Sequence, residues 1–140
     1  VNYLANTNLV SEPTKPRPNP LVLAWLRAHS HELYVSSVSI AEVRRGIERL
    51  PFGNKKIVLH SWLTLLCERL EGQILSFNSS VAHIWGQLAP KWESKGITIP
   101  LADSYIAATA RRYKLTVVTR NVSDFQKTGI RVINPCSDSE

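Results

Sequence analysis

Four positions far apart in this 140-residue chain carry side chains suited to one kind of chemistry: Asn6, Glu42, Asp103 and Asp124. Carboxylates drawn into one cleft repel one another, and each gains a proton unless a cation neutralises it. Mg²⁺ suits that task because it is a hard ion that prefers oxygen ligands and keeps several of its waters. An ion so held lowers the pKa of a bound water and stabilises charge on a phosphate under attack. Such chemistry needs several convergent acids, so each residue must first be weighed alone. Ser39-Ile40-Ala41-Glu42 matches a capping box, in which Glu42 bonds back to the start of its own helix. Asp103, three residues after Pro100, suits the positive end of a helix dipole. Asp124, in Asn121-Val122-Ser123-Asp124, has the composition of an ordered turn. Asn6 by itself says almost nothing. Only the set, spread over the right elements, points to a metal-assisted hydrolytic site.

The elements that must position these residues follow from hydrophobic period and punctuation. Tyr3 to Ala5 is a short apolar run meeting the polar turn Asn6-Thr7-Asn8, as expected of a buried strand opening onto a loop. Pro13, Pro16, Pro18 and Pro20 stiffen the next connection, and Pro20 suits the first turn of a helix reaching His29. Leu33-Tyr34-Val35 reads as a second strand. Ser39 starts a helix with Ile40, Val43, Ile47 and Leu50 on one face, which puts Glu42 in its first turn. A longer helix spans Lys55 to Leu70, with Val58, Leu59, Trp62, Leu65 and Leu66 as its stripe, and Ile74-Leu75 is a third strand. Ser79 or Ser80 caps a further helix, which Pro90 should kink or end. Pro100 opens the helix carrying Asp103 and running through Tyr113, with Ile106 and Ala107 facing inward. Leu115 to Thr119 is the clearest strand, rich in branched residues and expected to be central. Asp124 then lies in a loop, before a last strand from Ile130 to Ile133.

Alternating strands and helices predict an α/β fold with a mostly parallel sheet, in which functional groups gather at the carboxyl ends of strands. The chain reads as one domain over residues 3–135, followed by a polar tail over 136–140. Apolar residues make up 44% and charged residues 20%, which excludes a disordered chain. Cys67 and Cys136 lack the spacing of a disulfide framework or zinc site. His29, His31, His60 and His83 likewise share no metal-binding spacing. No apolar run is long enough to span a membrane, and a basic stretch leading into a secretory signal is missing, so the expected location is the cytoplasm. The net charge of +6 favours encounter with polyanions, nucleic acid first among them.

Four stretches together resemble a known family. Tyr3 to Glu12 is similar to the opening of the PIN-domain ribonuclease toxins of the VapC class, where an aspartate precedes Thr-Asn. Ser39 to Ile47 matches the second motif with its glutamate, Pro100 to Ala110 the third, and Val118 to Phe125 the fourth; Gly129 to Pro135 is also typical. Four motifs in order are specific where one is not. The resemblance implies a three-layer α/β/α sandwich, one or two Mg²⁺ or Mn²⁺ ions held at positions 6, 42, 103 and 124, and endonucleolytic cleavage of RNA, often tRNA. It implies a VapB-like antitoxin as partner, a homodimer or toxin–antitoxin hetero-oligomer, and contact with DNA only through the antitoxin. Glu42 and Asp103 would be ligands, Asp124 would act less directly, and Thr7 and Thr119 would bond to the carboxylates or to the phosphate as supporting groups. Asn121 stands where some relatives carry a further acid, so the resemblance leaves open whether Asn121 or Asp124 is the fourth position.

The departure is Asn6. Its amide keeps the shape of aspartate but loses the charge and adds an NH₂ donor, so the expectation is an impaired nuclease. The three remaining acids favour an engineered replacement over natural decay. The alternative is a catalytically silent module that acts by binding antitoxin or RNA. Arg44, Arg45, Arg49, Arg111 and Arg112 are candidates for holding phosphates or simply solvated cations on helices. Trp25, Trp62, Trp85 and Trp92 fall in apolar stripes and are assigned to packing. The helix from Lys55 and the one before it are expected to offer a groove to a partner helix.

Overall fold

Short branched and apolar triplets, each followed by a polar turn, make the sheet. In the computed structural model, which describes residues 2–136, the strands are Tyr3–Ala5 (β1), Leu33–Ser36 (β2), Ile74–Leu75 (β3), Thr116–Val118 (β4) and Val132–Ile133 (β5). They form one sheet ordered β3-β2-β1-β4-β5, and every pairing is parallel. The register sets Tyr3 beside Leu33 and Thr116, and Ala5 beside Val35 and Val118. Parallel neighbours cannot be joined by a hairpin, so the chain crosses over through helices. These are Thr7–Val10 (α1), Pro20–Ala28 (α2), Ser37–Glu48 (α3), Asn54–Arg69 (α4), Ser79–Ser94 (α5), Leu101–Tyr113 (α6) and Val122–Gln126 (α7). From β1 the chain builds outward to β2 and β3 on one side, then returns to add β4 and β5 on the other. The carboxyl ends of β1 and β4 are therefore the point where the winding reverses, the usual crevice of such sheets.

The side-chain period of two divides the core between both faces. Leu4 and Val117 point into a cluster with Ala89 and Trp92 of α5 and Ile106, Ala107 and Ala110 of α6. Tyr3, Ala5, Val35 and Val118 point the other way, toward Val22 and Trp25 of α2, with Trp62 and Leu66 of α4 packed against them. This is the expected three-layer α/β/α arrangement. All four tryptophans pack against these clusters, and His29 stacks on Trp25 with ring centroids 4.2 Å apart. No helix among the described residues is long and apolar enough to cross a membrane.

Several local expectations are corrected. Helix α3 begins at Ser37, because the Ser36 hydroxyl accepts the Val38 N–H at 3.0 Å and caps it. Asn78, not Ser79 or Ser80, caps α5 by accepting the Val81 N–H. Pro90 does not end α5. The helix continues to Ser94, and burial of Ala89 and Trp92 on either side of the proline offsets the lost backbone bond. On α4 the inward stripe is Leu59, Trp62, Leu63 and Leu66, while Val58 and Leu65 are exposed. The strand β4 is interior but β1 is the centre, since it alone pairs with both halves of the sheet. Asp124 lies in the short helix α7 rather than in a loop, and that helix is pinned by the fully buried Phe125. Residues 137–140 of the expected polar tail, with Val1, lie outside the described residues.

Phe125 links the core to the element that carries Asp124. Phe125→Ala should lower the free energy of unfolding by about 3–5 kcal/mol. Phe52→Ala, at a side chain 93% exposed, should change it by less than about 0.5 kcal/mol. Urea unfolding of the two variants checks the contrast.

Candidate active site

The ladder carries position 6 one step beyond β1: the Asn6 N–H donates to the Val118 carbonyl at 2.9 Å. Its side chain then turns into the crevice at the reversal point and is 4% exposed. The amide oxygen accepts the Thr7 N–H at 2.8 Å, which caps α1, and the amide nitrogen donates to the Thr119 hydroxyl at 3.0 Å. Thr119 is fully buried and also receives the Asn121 N–H at 3.0 Å and, more distantly, the Asn8 amide at 3.5 Å. A hydroxyl oxygen has two lone pairs and one proton to give. Three donors therefore converge on two acceptor sites. A carboxylate at position 6 would resolve this, with one oxygen for the Thr7 N–H and the other for the Thr119 proton.

Glu42 comes from α3. Because that helix starts at Ser37, Glu42 sits in its second turn and is no capping-box partner; its carboxylate instead accepts the Thr7 hydroxyl. Ser39, the expected cap, is fully buried, with its hydroxyl 2.9 Å from that of Thr7. Asp103 lies in the first turn of α6, as expected, and is half-buried. Its carboxyl is pushed up from 3.8 to about 6, first by burial and then by the charges of Glu42 and Asp124. Asp124 is held by the Asn121 amide nitrogen at 2.7 Å. Glu42, Asp103 and Asp124 thus share one electrostatic field although 82 positions separate the first and last of them in sequence (124 − 42). Among the described residues, however, no three His, Cys, Asp or Glu side chains are gathered tightly enough to hold an ion between them. Two features of the cleft account for this: position 6 is an amide tied to Thr7 and Thr119, and Asp124 is turned toward Asn121. The donor chemistry fits a hard dication, an excess of carboxylate in a half-buried cleft, but one corner carries no charge.

Glu12 is a contributor that sequence reasoning left without a role. It is 1% exposed, accepts the Asn19 N–H at 2.8 Å, and pairs with Lys15 at 3.0 Å and Arg120 at 3.5 Å. The Asn19 bond above all, then Lys15 and Arg120, hold its carboxyl below the usual range against the opposing effect of burial. Arg120 follows Thr119, so this pair fastens the segment after α1 to the segment after β4. The acid stood within the Tyr3–Glu12 run, but nothing local marked a cation 108 positions away. Of the candidate arginines, Arg44 pairs with Glu48 at 2.8 Å, and Arg112 donates to Ser80 and covers the Tyr113 ring. Arg45, Arg49 and Arg111 are exposed. Beside Glu42 and Thr7 runs a groove of about 420 Å³, with Lys15 and Lys55 at its edge and Leu59 and Trp62 in its wall. Asp103 and Asp124 lie outside it.

Several known proteins are similar to this chain. The model of the PIN domain matches residues 3–130. Toxin FitB of Neisseria gonorrhoeae is 41% identical over 137 residues, 96% of this chain and 99% of that protein. The VapC ribonuclease Y4jK of Sinorhizobium fredii is 35% identical over 132 residues, covering 93% of this chain and 94% of its own. A solved structure of FitAB bound to an IR36 DNA fragment superposes with a TM-score of 0.91 at 37% identity, covering 99% of this chain and 98% of that one.

The two displaced carboxyls make opposite demands on pH. The folded protein holds the Asp103 proton more tightly than the unfolded chain does. Asp103 therefore costs stability increasingly as pH rises from 3.8 through about 6. Glu12, held low, contributes stability above its ordinary value of 4.5 that is lost as pH falls through its lowered folded value. Asp103→Asn should accordingly raise the thermal midpoint at pH 7.5 and lose that advantage at pH 3.5. Glu12→Gln should cost about 1.5–3 kcal/mol at pH 7.5 and less at pH 3.5. Thermal unfolding at the two pH values reads both signs, and pH-independent differences would contradict them.

Proposed function

The chain belongs to the PIN-domain family, and from that premise we propose that it is the toxin of a type II toxin–antitoxin pair, a Mg²⁺-dependent endoribonuclease whose Asn6 form is impaired. The single observation that carries the reading is the half-buried Asp103 carboxyl, driven upward by burial and by Glu42 and Asp124 at the reversal point of the sheet. Like charges drawn toward one cleft are what a hard dication would relieve. Glu42, Asp103 and Asp124 would hold Mg²⁺, or Mn²⁺ in its place. When bound, such an ion supplies an activated water and neutralises charge on the scissile phosphate.

The chain's own residues do the rest. Thr7 orients the Glu42 carboxylate through its hydroxyl, and Thr119 sets the side chain at position 6. Lys15 and Lys55, at the rim of the groove that begins at Glu42, are placed to hold phosphates of an RNA strand. No base-reading group identifies the RNA, and tRNA enters as the family's frequent target. Names among the relatives, a toxin and a ribonuclease, support this reading, as does the DNA-bound FitAB assembly. In that assembly's image the partner would be an antitoxin, and DNA would be met through it. The apolar wall of the same groove, Leu59 and Trp62, suits a partner helix.

A second reading, a silent module acting by antitoxin or RNA binding, is favoured by one specific observation: the amide at position 6 and the Asn121 amide on Asp124 each replace a charge interaction with a hydrogen bond. Asn6→Asp should raise Mg²⁺-dependent RNA cleavage on the order of 10²-fold, the scale on which lost electrostatic stabilisation registers. EDTA, Glu42→Ala or Asp103→Ala should abolish the gain. Equal cleavage before and after reversion would refute the impairment. Tight RNA or antitoxin binding without cleavage under any metal would establish the silent module instead.

A further inference from the structure

The sequence Ser36-Ser37-Val38-Ser39 spends three serines within four positions, and each hydroxyl is used differently. Ser36 caps α3 through the Val38 N–H. Ser37 accepts the Phe77 N–H at 3.0 Å and so fastens the start of α3 to the segment after β3. Ser39 does neither. It lies inside the helix, where serine is a neutral to unfavourable choice, it is fully buried, and its hydroxyl meets a single described partner, the Thr7 hydroxyl at 2.9 Å. Thr7 in turn reaches Glu42.

Proton accounting sets the direction of this chain. Thr7 has one hydroxyl proton and two oxygens within reach, Ser39 Oγ and Glu42 Oε1. An ionised carboxylate can only accept, and charge-assisted bonds are the stronger ones. The Thr7 proton therefore goes to Glu42, and Ser39 must donate to Thr7. Reversal would leave the Glu42 oxygen facing a lone pair. The buried serine thus fixes which way the threonine points, and a threonine has two staggered alternatives that would take its hydroxyl away from Glu42.

We propose that Ser39 is a positioning residue of the active site, which donates to Thr7 and thereby locks the Thr7 hydroxyl onto the carboxylate of Glu42. It acts through Thr7 and does not touch substrate. Its catalytic consequence rests on the nuclease reading above, in which Glu42 is a metal ligand; the lock itself does not. Outer groups that orient a ligand set its affinity and the rate, with losses of about 10–100-fold when they are removed. Position 39 also tolerates a clean test, because alanine is the better helix former and removes only the oxygen, while threonine restores it.

The test uses Ser39→Ala and Ser39→Thr in the present chain and in its Asn6→Asp reversion. Three-bond couplings of Thr7 report its side-chain rotamer without any metal. A single rotamer is expected in the parent and in Ser39→Thr, and averaging between rotamers in Ser39→Ala. In the reverted chain, kcat for RNA cleavage should fall about tenfold in Ser39→Ala, with KM unchanged and the rate recovered in Ser39→Thr. The Mn²⁺ affinity of the reverted chain should fall alongside. A Thr7 that keeps one rotamer in a folded Ser39→Ala overturns the proposal. A parallel fall in KM-related binding and stability that threonine does not rescue overturns it as well, since that is a packing defect. If the reverted chain binds no Mn²⁺ and cleaves nothing, the nuclease reading fails, while the rotamer measurement still decides the role of Ser39.

Discussion

Repulsion between carboxylates is the constraint around which this molecule is arranged. Glu42, Asp103 and Asp124 come from three helices, and the charges of the other two help to push Asp103 up to about 6. Left to themselves, such groups would turn outward into water, where like charges cost little. They stay because the elements beneath them have no freedom to turn. Helix α6 is anchored by Ile106, Ala107 and Ala110 in the core, α7 by Phe125, and α3 by Ile47 and the Ser36 cap. Burial of apolar surface, worth about 25 cal/mol per Å², holds in place a cleft that electrostatics alone would open. The unfavourable charge is thus carried by the packing beneath it.

The sheet makes that convergence possible by reversing its winding between β1 and β4. Position 6 and Thr119 follow the ends of adjacent strands, so they meet although 113 positions apart. Two more ties keep the crevice from widening. Glu12, buried and negative, grips Arg120 on the far segment, and Ser37 holds α3 to the segment after β3. Neither tie involves Glu42, Asp103 or Asp124. Glu12 is itself buried, so loss of its partners would leave a dehydrated charge behind.

Much of this was legible in the residues, and the remainder was hidden for identifiable reasons. Strands of branched residues and amphipathic helices follow from period alone, so the α/β class and the elements bearing Glu42, Asp103 and Thr119 were predictable. Asp103 in a first turn after Pro100 was a local fact and held. Glu42 has a misleading neighbour, because Ser39 and Glu42 have the spacing of a capping box, while the true cap, Ser36, directly follows the Leu33–Val35 run and carries no such signal. Caps depend on which serine the tertiary fold leaves exposed to the helix start, and one such serine was needed elsewhere. On α4, Val58 and Leu65 fit the stripe by spacing, yet Leu63 is the buried residue. A helix so evenly apolar carries no unique face, and packing against α3 and the core beneath it chooses one. Glu12 was invisible because its meaning lies in Arg120, and pairings across the whole chain leave no periodic trace.

Position 6 shows how stability and chemistry pull apart at one atom. The socket formed by the Thr7 N–H and the Thr119 hydroxyl asks for two acceptors, and an amide offers one acceptor and one donor. With the amide in place, the Thr119 hydroxyl is over-supplied with donors. An aspartate would satisfy both partners, but it would add a further negative charge to a cleft where Asp103 already resists ionising. In the absence of a cation the amide therefore relieves repulsion at the expense of hydrogen-bond fit. With a cation present the balance inverts, because the added charge becomes attraction and the better-fitting bonds come with it. At this corner an amide therefore favours the cation-free fold, and an aspartate would favour one with a cation bound.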